Sequence, residues 1–283
     1  MEFINFRRKT DYPMAELSNT KIYVFHYKNG SVLNTDPIYQ PIMAGNALLS
    51  ANKTIPGDDT GDNISAKNPY FSELTGIYWV WKNTRQEVTG TCHYRRFFTA
   101  RPEPFLYKLK RLLYFPAGLY KKRFGLIYTE NTKRFVPRIL IQQDLNRLLT
   151  EYDAILPQAR KLKYSVETHY RRYHDLRDLK ILESVLTEKY PDYLEAFRTV
   201  LKGKSLYANN MFILKDEHYQ EFMIWWFDIL FEFERRIDLN NYAAYQKRIL
   251  GFIAERLLNV WFRKNKLKCV ELQVIYFKQF KFE

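Results

Sequence analysis

The chain has 283 residues, of which 46% are apolar and 17% aromatic, enough to bury one sizeable core, and this excludes a disordered chain. Its formal net charge of +14 points to anionic partners, and nucleic acid, anionic lipid headgroups and nucleotide diphosphates all fit that sign. The two cysteines, Cys92 and Cys269, lie far apart without metal-ligand spacing, which argues against a disulfide framework or a zinc site.

The opening residues MEFINFRRKTDYPMAE hold no continuous apolar stretch of the signal-peptide kind. No later run reaches the roughly 18 apolar residues of a membrane span, so the expected compartment is the cytoplasm. Lys21 to His26 (KIYVFH) is β-branched and aromatic and predicts a first buried strand ending near His26-Tyr27-Lys28. The following PGDDTGDNIS favours turns and is expected to be an exposed polar loop. From Pro69 the pattern turns helical: Leu74, Ile77, Tyr78 and Trp81 share one face, and the helix is expected to end near Asn83. Glu87 to Cys92 (EVTGTC) reads as a short strand that delivers His93-Tyr94-Arg95-Arg96 at its end, where open α/β sheets place ligands.

Residues 101 to 138 contain ten Lys or Arg against two Glu, interleaved with apolar and aromatic residues. This is the pattern of an interfacial segment, in which Phe105, Leu112, Tyr114, Phe115 and Leu119 enter a lipid interface while the cations meet anionic headgroups. A solvated loop is the alternative. Asp144 to Glu151 predicts a helix, Ala154 to Pro157 a strand, Val166 to Phe197 helices interrupted near Tyr190-Pro191, and Ser205 to Leu214 (SLYANNMFIL) another buried strand. Two amphipathic helices follow, one with Phe222, Trp226, Ile229, Leu230 and Phe233 on a face, the other with Ile249, Phe252, Ile253, Leu257 and Val260.

Among groups able to carry chemistry, the two guanidiniums beside an imidazole at His93 to Arg96 suit a diphosphate, through bidentate charge-assisted hydrogen bonds. A surface basic pair is the plainer reading of the same residues. Asp58, Asp59 and Asp62 suit a divalent cation, a sugar hydroxyl or a general base, and a solvated turn explains them equally well. His169 and His174 are five apart, off the spacing that puts two metal ligands on one helix face. No Gly-rich phosphate loop, G-x-G-x-x-G or G-x-S-x-G is present.

Asp58 to Asn83 followed by Gly90 to Phe98 (GTCHYRRFF), together with EYDAILP, NNMFIL and RILGFIAERLLNVW, resembles a bacterial family of capsular and exopolysaccharide glycosyltransferases, some of whose members look like galactofuranosyltransferases. That family has long been catalogued only as a domain of unknown function. The resemblance implies an α/β, GT-A-like nucleotide-sugar-binding fold with a mixed central sheet flanked by helices. It would form one domain over residues 1 to 283, with a basic amphipathic insertion at about 101 to 138 and a helical C-terminal part at about 216 to 283. It implies transfer of galactofuranose or galactose from a UDP-sugar to a lipid-linked or growing polysaccharide acceptor, with inversion, on the inner face of the plasma membrane and without nucleic acid.

In similar transferases a metal-binding D-x-D stands where His93 to Arg96 stand here. The expectation is therefore a donor held by cations with no metal required, although Mg or Mn is compatible. The donor-binding residues so implied are His26, Lys28, Asn63, Ser65, Asn68, Glu73, His93, Tyr94, Arg95, Arg96, Asn209, Asn210 and Arg256. The candidate general bases are Asp62, Glu255 and Asp178. A basic nucleic-acid-binding protein and a non-catalytic scaffold of a polysaccharide assembly complex are the alternatives.

Overall fold

Burial on both faces of the first strand organises the molecule. In β1 (Thr20–His26), Tyr23 and Phe25 belong to one hydrophobic cluster while Ile22 and Val24 belong to another, as expected for a strand covered on both sides. The computed structural model describes residues 19–28, 33, 36–50, 54–107, 109, 125–243 and 245–278.

Parallel to β1 run β2 (Tyr39–Met43) and β3 (Val88–His93). Between β2 and β3 lie the short helix α1 (Asn68–Phe71) and α2 (Leu74–Asn83), separated where Ser72 takes a positive φ of 53°. A two-residue link, Tyr94-Arg95, turns β3 into the antiparallel β4 (Arg96–Thr99), with His93 opposite Arg96. The sheet continues through β5 (Leu126–Thr129), β6 (Ala154–Pro157) and β9 (Ile213–Lys215), the last antiparallel to both β3 and β6. Parallel and antiparallel pairs thus share one sheet, and the expected mixed α/β architecture is present.

One cluster packs helices against the sheet: α8 (Asp216–Arg236) and α9 (Ile249–Asn265), with α5 (Val166–Tyr173), α6 (Leu176–Lys189) and α7 (Leu194–Lys202) contributing to the same cluster. The predicted face of α8, from Phe222 to Phe233, is fully buried, and Trp226 Nε1 donates to Ala254 O at 3.2 Å. On α9, Ile249, Ile253, Leu257 and Val260 are buried as expected, whereas Phe252 is only half-buried and turns to the cleft described below. The opposite face of the sheet is covered by the short helix α3 (Thr132–Phe135) and by α4 (Gln142–Leu149), through Phe135, Leu145 and Leu149.

Four expectations need correction. The C-terminal part is not helical throughout: β10 (Cys269–Phe277) is a central strand, pairing β6 through its first half and β4 and β5 through its second. The latter part of the presumed insertion, residues 126 to 138, is core, since β5 lies in the sheet and Leu126, Ile127 and Phe135 are buried. Phe105 is 74% exposed, while Leu112, Tyr114, Phe115 and Leu119 lie outside the described residues. Ser205 to Leu214 is not one strand: a short β8 (Ser205–Leu206), paired with β7 (Arg160–Lys161), precedes a turn in which Asn209 (φ 74°) and Asn210 (φ 47°) are both left-handed, and only then does β9 begin. Lastly, the 58 to 62 loop is not simply solvated. Asp58 is fully buried and accepts from Gly45 N (2.9 Å), Asn46 N (3.0 Å) and Ser65 Oγ, which makes it the anchor of the loop after β2.

Candidate functional site

The C-terminal ends of β1 and β3 open into a cleft of about 520 Å³, within the ordinary size range of ligand sites. One wall is the β3–β4 hairpin with His93, Tyr94, Arg95 and Arg96. The facing wall is Arg248, just before α9, with Phe252 and Glu255 of α9, and the Asn68 to Glu73 segment and Asn209 close the ends.

Arg96 is held at the cleft by Tyr276 of β10, whose ring lies 5.1 Å from the guanidinium carbon. Burial lowers its proton affinity, and the nearby Glu73 and Glu255 carboxylates oppose that. Arg95 packs on Tyr94 (4.8 Å) and Tyr276 (5.4 Å) and spends one nitrogen on Lys278 O at 3.0 Å. Arg248 donates Nε to Ser72 Oγ at 2.8 Å. A fork of fixed planar donors facing one cavity suits an anion with several oxygens.

His93 is not one of the cations. Burial holds it below the usual imidazole range, although Glu73 pulls the other way. Its Nε2 meets Asn209 O at 2.5 Å, and because a carbonyl only accepts, that nitrogen carries the proton. His26, 2% exposed at the end of β1, is pushed by burial down to about 4. Its folded value lies below the unfolded 6.5, so its contribution to stability is complete above pH 6.5 and is lost as pH falls towards 4. A difference of that size is worth about 3 kcal/mol. The melting temperature of the wild type is therefore expected to fall between pH 7 and pH 4.5, and His26→Gln is expected to flatten that part of the profile. An equally steep fall in the variant would assign the pH dependence to other groups.

Two carboxylates share the cleft. Glu73, at the start of α2, accepts from Asn210 Nδ2 at 2.8 Å through Oε1. Glu255 accepts from Asn209 N at 2.8 Å and from Arg256 Nη1 at 3.2 Å, so both of its oxygens are engaged. Among the described residues no group of three or more His, Cys, Asp or Glu is arranged to hold a metal ion.

Of the residues named from sequence, His26, Asn68, Glu73, His93, Tyr94, Arg95, Arg96, Asn209 and Glu255 line this cleft. The others do not, which corrects their expected roles. Asp178 is buried, accepting from Tyr170 Oη (2.8 Å) and Tyr242 Oη (2.6 Å); it is a structural acceptor and not a cleft base. Asp62 is exposed in its loop, where it accepts from Tyr78 Oη at 3.0 Å. Asn63 caps the same loop through Ser65 N (3.2 Å), while Ser65 binds Asp58. Lys28 lies exposed over Tyr27. Arg256 and Asn210 are each 2% exposed: Arg256 donates to Phe252 O (2.9 Å) beneath the cleft floor, and Asn210 reaches the site through its amide, which donates to Glu73 Oε1 (2.8 Å) and Gly251 O (3.3 Å).

Arg248, Tyr276, Ser72 and Arg160 were not singled out from sequence. Arg160 Nη2 donates to Asn209 Oδ1 at 2.9 Å; Arg248 opens the RILGFIAERLLNVW block and Ser72 lies within the Asp58 to Asn83 block, the local signals that marked two of the four. Tyr276 sits in a strand whose neighbours are far away in sequence.

Among solved structures, the chain is similar to the apo structure of the bifunctional glycosyltransferase WbbM, with a TM-score of 0.80 and 31% identity over 93% of this chain. The match spans 46% of that protein, so this chain corresponds to about half of its length. No curated protein matches the sequence. The family model described as a domain of unknown function, DUF4422, matches residues 21–266, most of the chain and every residue that lines the cleft, and the chain belongs to that family.

Proposed function

We propose that this chain is a glycosyltransferase domain whose cleft binds the diphosphate of a UDP-sugar. The observation that carries the reading is the β3–β4 hairpin, which aims Arg95 and Arg96 into a cavity that also contains two carboxylates and Arg248. Transfer from a nucleotide sugar needs cations where the leaving diphosphate develops charge and a carboxylate where the acceptor hydroxyl loses its proton. Both kinds of group are within one cavity here. The likeness to a bifunctional glycosyltransferase supports the same class.

On this reading the guanidiniums meet the phosphate charge, and no metal is required. Glu73 is the better base, because only one of its oxygens is engaged, while Glu255 positions its neighbours. A base in that place serves an inverting displacement. The sugar is galactofuranose or galactose and the acceptor a lipid-linked or growing cell-surface polysaccharide, as the family resemblance implies. Contact with an anionic membrane surface is supported by the exposed Phe105 and Leu106 at the start of the basic segment. No helix among the described residues is long and apolar enough to cross a membrane.

Titration calorimetry with UDP, in Mg²⁺ and again in EDTA, tests the proposal. Micromolar binding that survives EDTA is the expected result. Absence of binding to UDP and to other nucleoside diphosphates sinks the reading, and a salt-sensitive thermal shift with single-stranded DNA would favour the nucleic-acid alternative.

A further inference from the structure

Asn209 and Asn210 occupy consecutive left-handed positions, with φ of 74° and 47°. This conformation costs a residue with a Cβ on the order of 1–2 kcal/mol, least for Asn, and backbone held in such regions clusters where structure serves function. The hydrogen bonds of this turn are distributed in a specific way. Asn209 O receives the His93 Nε2 proton (2.5 Å), Asn209 N donates to Glu255 Oε1 (2.8 Å), and Asn209 Oδ1 receives from Arg160 (2.9 Å). Asn210 Nδ2 donates to Glu73 Oε1 (2.8 Å), and its carbonyl accepts from Thr91 Oγ1 (3.0 Å), two residues before His93 on β3. One dipeptide therefore touches both cleft carboxylates, the imidazole and a flanking arginine.

We propose that the Asn209–Asn210 turn is the positioning element of the cleft, and that its left-handed backbone fixes the His93 tautomer and the direction of Glu73 and Glu255. This rests on the reading of the cleft as a nucleotide-sugar site, and it replaces the expectation that both asparagines contact the donor. Asn210 is closed off from the cavity. The two bonds of Asn209 that reach His93 and Glu255 come from its backbone, so its φ matters more than its amide.

That distinction gives the test. Asn209→Gly and Asn209→Val both remove the amide, yet Gly adopts positive φ freely and a β-branched residue does not. In full-length protein, ¹⁵N NMR of the His93 imidazole is expected to report the Nε2-protonated tautomer in the wild type and in Asn209→Gly, and to lose it in Asn209→Val. The UDP dissociation constant is expected to stay within about 3-fold in Asn209→Gly and to rise at least 30-fold in Asn209→Val. Should the valine variant not fold, Asn209→Ala takes its place, with an expected rise of about 5-fold. Equal behaviour of the glycine variant and its β-carbon counterpart overturns the proposal, whether both bind UDP normally or both lose it with the His93 tautomer unchanged; the second pattern would make the amide a direct ligand contact. If the wild type does not bind UDP, the nucleotide-sugar reading fails, and the tautomer measurement still decides the role of the turn.

Discussion

Replacing Arg96 by alanine is expected to weaken UDP binding about 100-fold, the equivalent of roughly 3 kcal/mol for a charge-assisted contact to phosphate. Arg96 is the hairpin cation with most to lose. Its guanidinium is stacked on Tyr276 and surrounded by the cleft, whereas Arg95 already donates one nitrogen to Lys278 O and its alanine variant is expected to lose about 10-fold. Arg96→Lys keeps the charge and loses the planar fork, so it should fall between the two. Calorimetry of the three variants in EDTA checks the order. Unchanged affinity in Arg96→Ala would place the diphosphate elsewhere, and the 58 to 62 loop would be a poor refuge because Asp58 is fully buried beneath it.

Glu73→Gln is expected to lower the turnover number for sugar transfer by on the order of 10³, the usual reach of a general base, while leaving UDP affinity within about 3-fold. Glutamine keeps an oxygen to receive the Asn210 amide at 2.8 Å, so the turn is preserved and the loss isolates the proton acceptor. In Glu255→Gln the Asn209 N–H can still be accepted, and a fall of about 10-fold is expected. Product formation with the uridine sugar that supports transfer, measured for both variants, separates the roles. A reversed order would make Glu255 the base and Glu73 the positioning group.

Both predictions concern residues that the sequence brought into view by different routes. His93 to Arg96 stood out because a short β-prone segment ends in a charged cluster, and the structure places that cluster on the hairpin at the C-terminal end of β3, between interior strands of the sheet. Glu255 and Asn209 were reached through resemblance, and they do meet in the cleft. Asp62 and Asp178 were equally plausible as carboxylates, but a list of acidic residues does not say which are enclosed. Asp178 is held by two tyrosines, one 8 and the other 64 residues away, and no local pattern announces such a partner.

The sequence by itself determined the elements whose signal is local. The continuous β-branched and aromatic run of β1, the helical face from Leu74 to Trp81, the faces of α8 and α9 and the +8 stretch from Arg101 to Arg138 can all be read from neighbouring residues, because composition and helical periodicity are local signals. Tertiary structure alone decided the rest. β10 is central because it pairs with strands more than 110 residues upstream, and the Asn209–Asn210 turn breaks an apolar run because Thr91, His93, Glu73 and Glu255 together hold a conformation that the local chain disfavours. The cleft depends on those long-range contacts: its charges come from Glu73, Arg95, Arg96, Arg248 and Glu255, far apart in sequence, and their direction is set by partners that only the folded chain brings within hydrogen-bonding distance.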